Sequence, residues 1–400
     1  MIKNEKIIYF RIKKSFEEKQ SSKYKFSFHK IIIIIFLLIL FKSEDKSKKQ
    51  IEIFNIKQFF NTTIKSNSIL IFEKNSYHYE CTPGFTKYFL DLGFNVDIIM
   101  TIEGKEIFTL FMPNENLRLF ILDDSKYYKS IEYIKQLRII FNKYLAILVQ
   151  TMNPDVNHFC KESNLLNGKH SIFVYHYHPQ MHLIDFHNKI RSWTLLNFTN
   201  SALGVNPHYF GNIKLRDKNK ITSFLVVSTY KRNYDQLISA SDKLKSEKFQ
   251  FQIIVTGRSD SLSYSNIPNN IKEQFLFNKY LSYLDLFKTV ETVDFIIITL
   301  KNDNPGDYSY INGKATGNAQ LAYGFLKPCL INSYFAETYG MNNSNSIIFN
   351  DSLYFAMRDA IKISNEEYKK KQYNMKKLAD KIYNISKNNV KKTINYILQK

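Results

Sequence analysis

The chain alternates short unbroken apolar runs with segments of helical period, and this alternation constrains its fold more than any other feature. The runs SILIFE (68–73), VDIIM (96–100), LAILV (145–149) and SIFVY (171–175) come first. After a charged stretch at 214–220 the pattern restarts with FLVVS (224–228), FQIIVT (251–256), FIIITL (295–300) and CLI (329–331). Runs of this length without polar alternation read as strands buried on both faces. Between them, apolar residues recur at helix spacing: Phe85, Tyr88, Phe89 and Leu92 after Pro83-Gly84; Ile131, Ile134, Leu137 and Phe141; Leu237, Ile238 and Leu244. Strand, helix and strand in succession imply parallel sheets wound on both faces by right-handed crossovers. The expected fold is α/β, with two Rossmann-like doubly wound domains, 67–212 and 213–370, facing across a cleft, followed by a basic helix at 371–400.

Charge is unevenly distributed along that frame. The whole chain carries +20, and residues 1–66 hold fifteen Lys or Arg against six Asp or Glu, a balance of +9. This amino-terminal extension contains eleven consecutive apolar residues, 31–41, between Lys30 and Lys42. A helix needs about 20 apolar residues to span a bilayer, so the run is short for crossing. No small-residue cleavage site follows it. Three readings stay open: a shallow anchor held by its lysines, a membrane-surface helix, or a stretch upstream of the true start. In each, the folded part begins near Asn67, and the basic flank suits anionic lipid at the inner face of a membrane. No helix-turn-helix, zinc-finger or RNA-binding signature accompanies the charge, so nucleic acid is not an expected partner. Cys81, Cys160 and Cys329 lie far apart with no CxxC spacing, which suits reduced thiols in a cytoplasmic protein.

The richest local motif lies at 294–331, where an apolar strand and a polar loop lead into Lys314-Ala315-Thr316-Gly317-Asn318 and a helix. Backbone N–H groups at such a helix start have no partner within the helix, and the dipole adds positive charge there. Thr316, Gly317 and Asn318 are therefore candidates to hold a diphosphate, although Thr316 in the same place is also a good ordinary N-cap. Lys231, Arg232, Arg258 and Lys314, with the strand-terminal Gly257, follow strands on this side and are candidate phosphate contacts. On the other half, His78 and Glu80 follow the first strand and His176 follows SIFVY. These three are the candidate acid–base residues, and Glu80 is also placed to cap the helix near Pro83. His176, His178, His182 and His187 form the densest histidine patch; the first two share a strand face and would make a metal pair, but no carboxylate or cysteine follows at ligand spacing. No metal is expected.

From 68 to 385 the order of elements resembles the two-Rossmann-domain nucleotide-sugar glycosyltransferases of the GT-B type. The resemblance is carried by Pro83-Gly84 after the first strand, by FLVVSTYKRNYDQLISA at 224–240, by 251–257 with its terminal glycine, by SIFVYH, and by Thr316-Gly317 leading to Lys327-Pro328-Cys329-Leu330-Ile331. It implies metal-independent transfer of a hexosyl group from a nucleotide sugar, itself a substrate rather than a cofactor, to a glycan or lipid-linked acceptor in cell-surface polysaccharide or glycolipid synthesis. Many retaining members carry two glutamates eight positions apart around the donor helix; here Thr316 and Gln320 occupy that neighbourhood. The stereochemical course stays open, as does a non-catalytic sugar- or nucleotide-binding role on the same fold.

Overall fold

In the computed structural model each apolar run becomes a strand that feeds alternate side chains into two different cores. Ile69 and Ile71 enter one core, while Leu70 and Phe72 enter another on the opposite face of the same sheet. Leu225 is similarly separated from Phe224 and Val226 in the second sheet. Two-sided burial of this kind is the physical reason these runs carry no polar alternation. The structure describes residues 51–400 except 75–77, 111–113, 123–130, 167, 177–188, 197–201, 229–233, 258–266, 280, 302–303, 312–313 and 400. The apolar run at 31–41 and its basic flanks lie outside the described residues.

The first half comprises Glu52–Asn55 (β1), Ile56–Asn61 (α1), Ser68–Glu73 (β2), Thr82–Asp91 (α2), Asn95–Thr101 (β3), Leu117–Leu122 (β4) and Ile131–Phe141 (α3). It continues through Ala146–Val149 (β5), Pro154–Glu162 (α4), Ser171–Tyr175 (β6), Ser192–Thr194 (β7) and Leu203–Gly204 (β8). The second half comprises Thr222–Ser228 (β9), Asp235–Ser246 (α5), Phe251–Gly257 (β10), Phe275–Lys279 (β11), Tyr283–Thr292 (α6), Phe295–Ile298 (β12), Gly317–Phe325 (α7) and Cys329–Asn332 (β13). Ser333–Ala336 (α8), Ile347–Phe349 (β14), Leu353–Lys362 (α9) and Asn365–Leu398 (α10) complete it.

Every strand pair among the described residues is parallel. The first sheet runs β1-β4-β3-β2-β5-β6-β7-β8 and the second β11-β10-β9-β12-β13-β14. The second order reverses direction once, between β9 and β12; the first has the matching reversal between β2 and β5, and its edge strand β1 adds another at β4. Crevices that take ligands open at the carboxyl ends of the strands at such reversals.

Two sequence expectations are corrected. The folded chain begins before Asn67: β1 pairs with β4 from Glu52↔Arg118 to Asn55↔Ile121, and α1 carries a capping box in which Asn55 and Gln58 exchange hydrogen bonds. The terminal helix starts at Asn365 rather than 371, set by a second capping box between Ser364 and Glu367. It is also more than a basic tail. Met375 and Ala379 of α10 enter the second half's core, and Val390, Ile394 and Ile397 enter the first half's. Pro83-Gly84 lies in the first turn of α2, where the helical spacing that follows it begins. A Cβ on Gly84 would stand 2.2 Å from Pro207 O, so glycine here lets the segment joining the two halves pass against α2.

Candidate functional site

At the β2/β5 reversal the carboxyl ends of three neighbouring strands bring together Glu73 from β2, Gln150 and Thr151 after β5, and His176 after β6. The loop after β2 returns over them with His78 and Glu80. Gln150 Nε2 donates to His78 O at 2.8 Å, which ties that loop to the strand end. The two imidazoles then stack, with ring centroids 4.0 Å apart and planes 25° from parallel. The sequence-predicted rivals His78 and His176 therefore form one unit.

Their environments differ. His176 Nε2 lies 3.1 Å from Gln150 O and 3.4 Å from Thr151 Oγ1. A carbonyl can only accept, and the Thr151 hydroxyl already donates to Glu73 Oε2 at 2.6 Å. His176 thus carries its proton on Nε2 and leaves Nδ1 bare. Burial drives its pKa well below the ordinary value, the charge of His78 adds to this, and the Gln150 carbonyl opposes it. His176 is the neutral partner. His78 has Nδ1 3.5 Å from Glu80 Oε1, with its side chain 33% exposed. Burial works against its charge, but the hydrogen bond and charge of Glu80, with the charge of Glu73, outweigh burial and raise the pKa. Two adjacent imidazoles pushed in opposite directions can take separate acid–base roles.

Glu80 does not cap α2, whose N-cap is Cys81 without a side-chain bond. Its Oε2 instead accepts a hydrogen bond from Tyr283 OH at 3.1 Å, across to the first residue of α6 in the second half. Glu73, 1% exposed, Gln150, Thr151 and Tyr283 were not singled out from sequence. The first three stand at or directly after strand ends, and that position was the available signal.

At the β9/β12 reversal, α7 starts against the end of β9, with Asn318 Nδ2 donating to Val227 O at 3.3 Å. Thr316 occupies the N-cap, but its side chain makes no capping bond, so it does not act as the ordinary cap that its residue type suggests. The first N–H groups of α7 consequently receive no cap from the Thr316 side chain. Gly317 is exposed, and a Cβ there would meet nothing within 4 Å. Gln320, 4% exposed, has no partner for Nε2 or Oε1 among the described residues. Lys314 approaches this end with its Nζ 4.7 Å from the Tyr310 ring centroid. Gly257 ends β10 at φ 123°, a conformation that glycine adopts freely. Lys231, Arg232 and Arg258 lie outside the described residues, as do His178, His182 and His187. Among the described residues no group of three His, Cys, Asp or Glu could hold a metal ion, and no helix is long and apolar enough to cross a membrane.

Lys327, in the Lys327-Pro328 motif, is 1% exposed and caps the end of α6. Its Nζ donates to Glu291 O at 2.8 Å and Val293 O at 2.6 Å, and burial brings its pKa down to about 7. Cys81, Cys160 and Cys329 are free and buried.

No family model matches the chain, and no curated protein matches it. Solved structures do. A glycosyltransferase from Rickettsia africae ESF-5 is similar at 15% identity and a TM-score of 0.52, over 84% of this chain and 99% of that one. A TarM variant of S. aureus, solved with fondaparinux, alpha-GlcNAc-glycerol and UDP, is similar at 8% identity and 0.53, over 83% and 99%. Anabaena HepE with UDP is similar at 11% identity and 0.51, over 81% and 98%. The two parallel sheets and these likenesses give the chain a GT-B glycosyltransferase-like fold.

Proposed function

We propose that this protein transfers a hexosyl group from a nucleotide sugar to a hydroxyl of a glycan or lipid-linked acceptor, in the synthesis of cell-surface polysaccharide or glycolipid. The observation that carries the proposal is the pairing of two unlike strand-end crevices: one holds a histidine pair tuned apart, and the other an uncapped helix start. UDP bound to the S. aureus and Anabaena neighbours supports a nucleotide diphosphate as the donor's leaving group. In the reading, Gly317 and Asn318 N–H with Lys314 meet the diphosphate, so its charge needs no bound metal. Glu80 holds His78 Nδ1–H, which leaves Nε2 to take the proton from the acceptor hydroxyl. The acceptor oxygen then bonds to the anomeric carbon while the bond from that carbon to the phosphate oxygen breaks, and the electron pair departs on the diphosphate. His176 stays neutral beneath the His78 ring and fixes its plane. The basic amino-terminal segment suits an anionic membrane surface, where a lipid-linked acceptor is met.

The test is calorimetry and turnover with a panel of UDP-, GDP-, ADP- and CMP-sugars. Saturable binding of one donor, with transfer or slow hydrolysis, is expected. Absence of binding by every donor sinks the proposal; donor affinity without turnover, and indifference to replacing His78, moves the protein to a non-catalytic binding role.

A further inference from the structure

The His78–Glu80 dyad belongs to the first half, but the hydrogen bond that completes it comes from the second. Tyr283 is the first residue of α6, and its half-buried ring packs against the principal cores of both halves. Its hydroxyl meets Glu80 Oε2 at 3.1 Å while His78 Nδ1 faces Oε1 at 3.5 Å, so the carboxylate is held at both oxygens by residues on opposite halves. Ala315, directly before the α7 N-cap, also packs against the first half's core. Donor-side and base-side elements therefore meet at one seam.

We infer that Tyr283 is a positioning residue for His78, supplied by the donor half, so that the base is fully assembled only when the two halves are in contact. The inference rests on the transferase reading for its consequence and on geometry alone for the contact. Without the phenol, Glu80 loses a donor and rotates about its remaining contact; the carboxylate also becomes more basic and holds the His78 proton more firmly. The charged and titratable groups around His78 are Glu73 from β2, Glu80, Cys81, Tyr283 from α6, and His176 after β6. Among the described residues, only Tyr283 comes from the donor half.

Tyr283→Phe in the full chain tests this, since the ring and its packing stay. Histidine ring NMR is expected to show the His78 pKa rising by on the order of half a pH unit. The low-pH limb of kcat/KM is expected to move with it, and kcat to fall about tenfold from lost orientation, while UDP affinity holds within about twofold by the same orientation argument. An unchanged His78 titration overturns the inference, even if thermal stability falls, because a purely structural tyrosine would give that result. The titration is read without turnover, so it separates this inference from the transferase reading: a shifted His78 in a protein that transfers nothing leaves the contact standing and removes only its consequence.

Discussion

The strand-order reversals at β2/β5 and β9/β12 have the same topology and opposite chemistry. At β2/β5 the crevice is floored by side chains: two imidazoles, two carboxylates, an amide and a hydroxyl, several of them hydrogen-bonded to one another. At β9/β12 the described residues offer backbone, with a helix start that the N-cap side chain leaves uncapped and a glycine with open space above it. Side chains can be tuned in pKa by a neighbour; N–H groups cannot titrate, but they keep a fixed direction and partial charge. Proton transfer suits the first kind of crevice and constant anion binding the second. On the proposed reading, one fold repeated in tandem separates the two tasks.

The largest effect expected from breaking this division is at His78. His78→Ala should lower turnover by roughly 100- to 10,000-fold, the span of general base catalysis. UDP affinity, measured by calorimetry, should stay at the wild-type value. Equal losses in both would mean that the crevices are not separate. Next in size is Gly317→Asp. The open space lets the side chain in, and a carboxylate at a helix start should hold or raise stability by about 0.3–1 kcal/mol. The same charge should repel a diphosphate and weaken UDP binding by about tenfold or more, by the same helix-start electrostatics. Unaltered UDP affinity in this variant would move the donor away from α7.

The smallest effect is in the pH dependence of stability. His78 has a raised pKa, so its contribution is full below the unfolded value of about 6.5 and is lost as pH rises through the folded value. His176 has a lowered pKa and does the reverse: its contribution is present above about 6.5 and is lost as pH falls toward the folded value. Glu80→Gln weakens chiefly the first, with Glu73 left in place. Urea melts of that variant should match wild type near pH 8.5 and fall below it at pH 5.5. Because His78 is a third exposed, the gap should stay under about 1 kcal/mol. A wider gap at alkaline pH would show that Glu80 matters chiefly through another contact.

The sequence discloses most interior strands and conceals most edges, interior β7 (SWT) and edge β14 (IIF) being the exceptions. β2, β3, β5, β6, β9, β10, β12 and β13 sit inside their sheets and read as apolar runs because helices cover both faces. β1 (EIFN), β8 (LG) and β11 (FLFNK) are edge strands, short or partly polar, and none stands out by composition. The site divides in a similar way. His78, Glu80 and His176 could be found as polar residues following strands, and Thr316 to Asn318 as a helix start. Glu73, Gln150 and Thr151 join them only because β2 lies next to β5, a neighbour relation that depends on strand order. Tyr283 meets Glu80 across 203 positions, and no local pattern announces such a contact. The basic helix was legible as helix, but its apolar residues are spaced thinly among lysines, so its reach into both cores was hidden.

That reach has a consequence for how the chain is made. Trp193, wholly buried in the first half, donates Nε1 to Thr393 Oγ1 at 2.9 Å, 200 positions later. At a synthesis rate of about 5–20 residues per second, roughly 10–40 s separate the two residues at the ribosome. Through that interval the first sheet waits without Val390, Ile394 and Ile397, the last apolar side chains of its own core. The amino-terminal half is translated first and finished last.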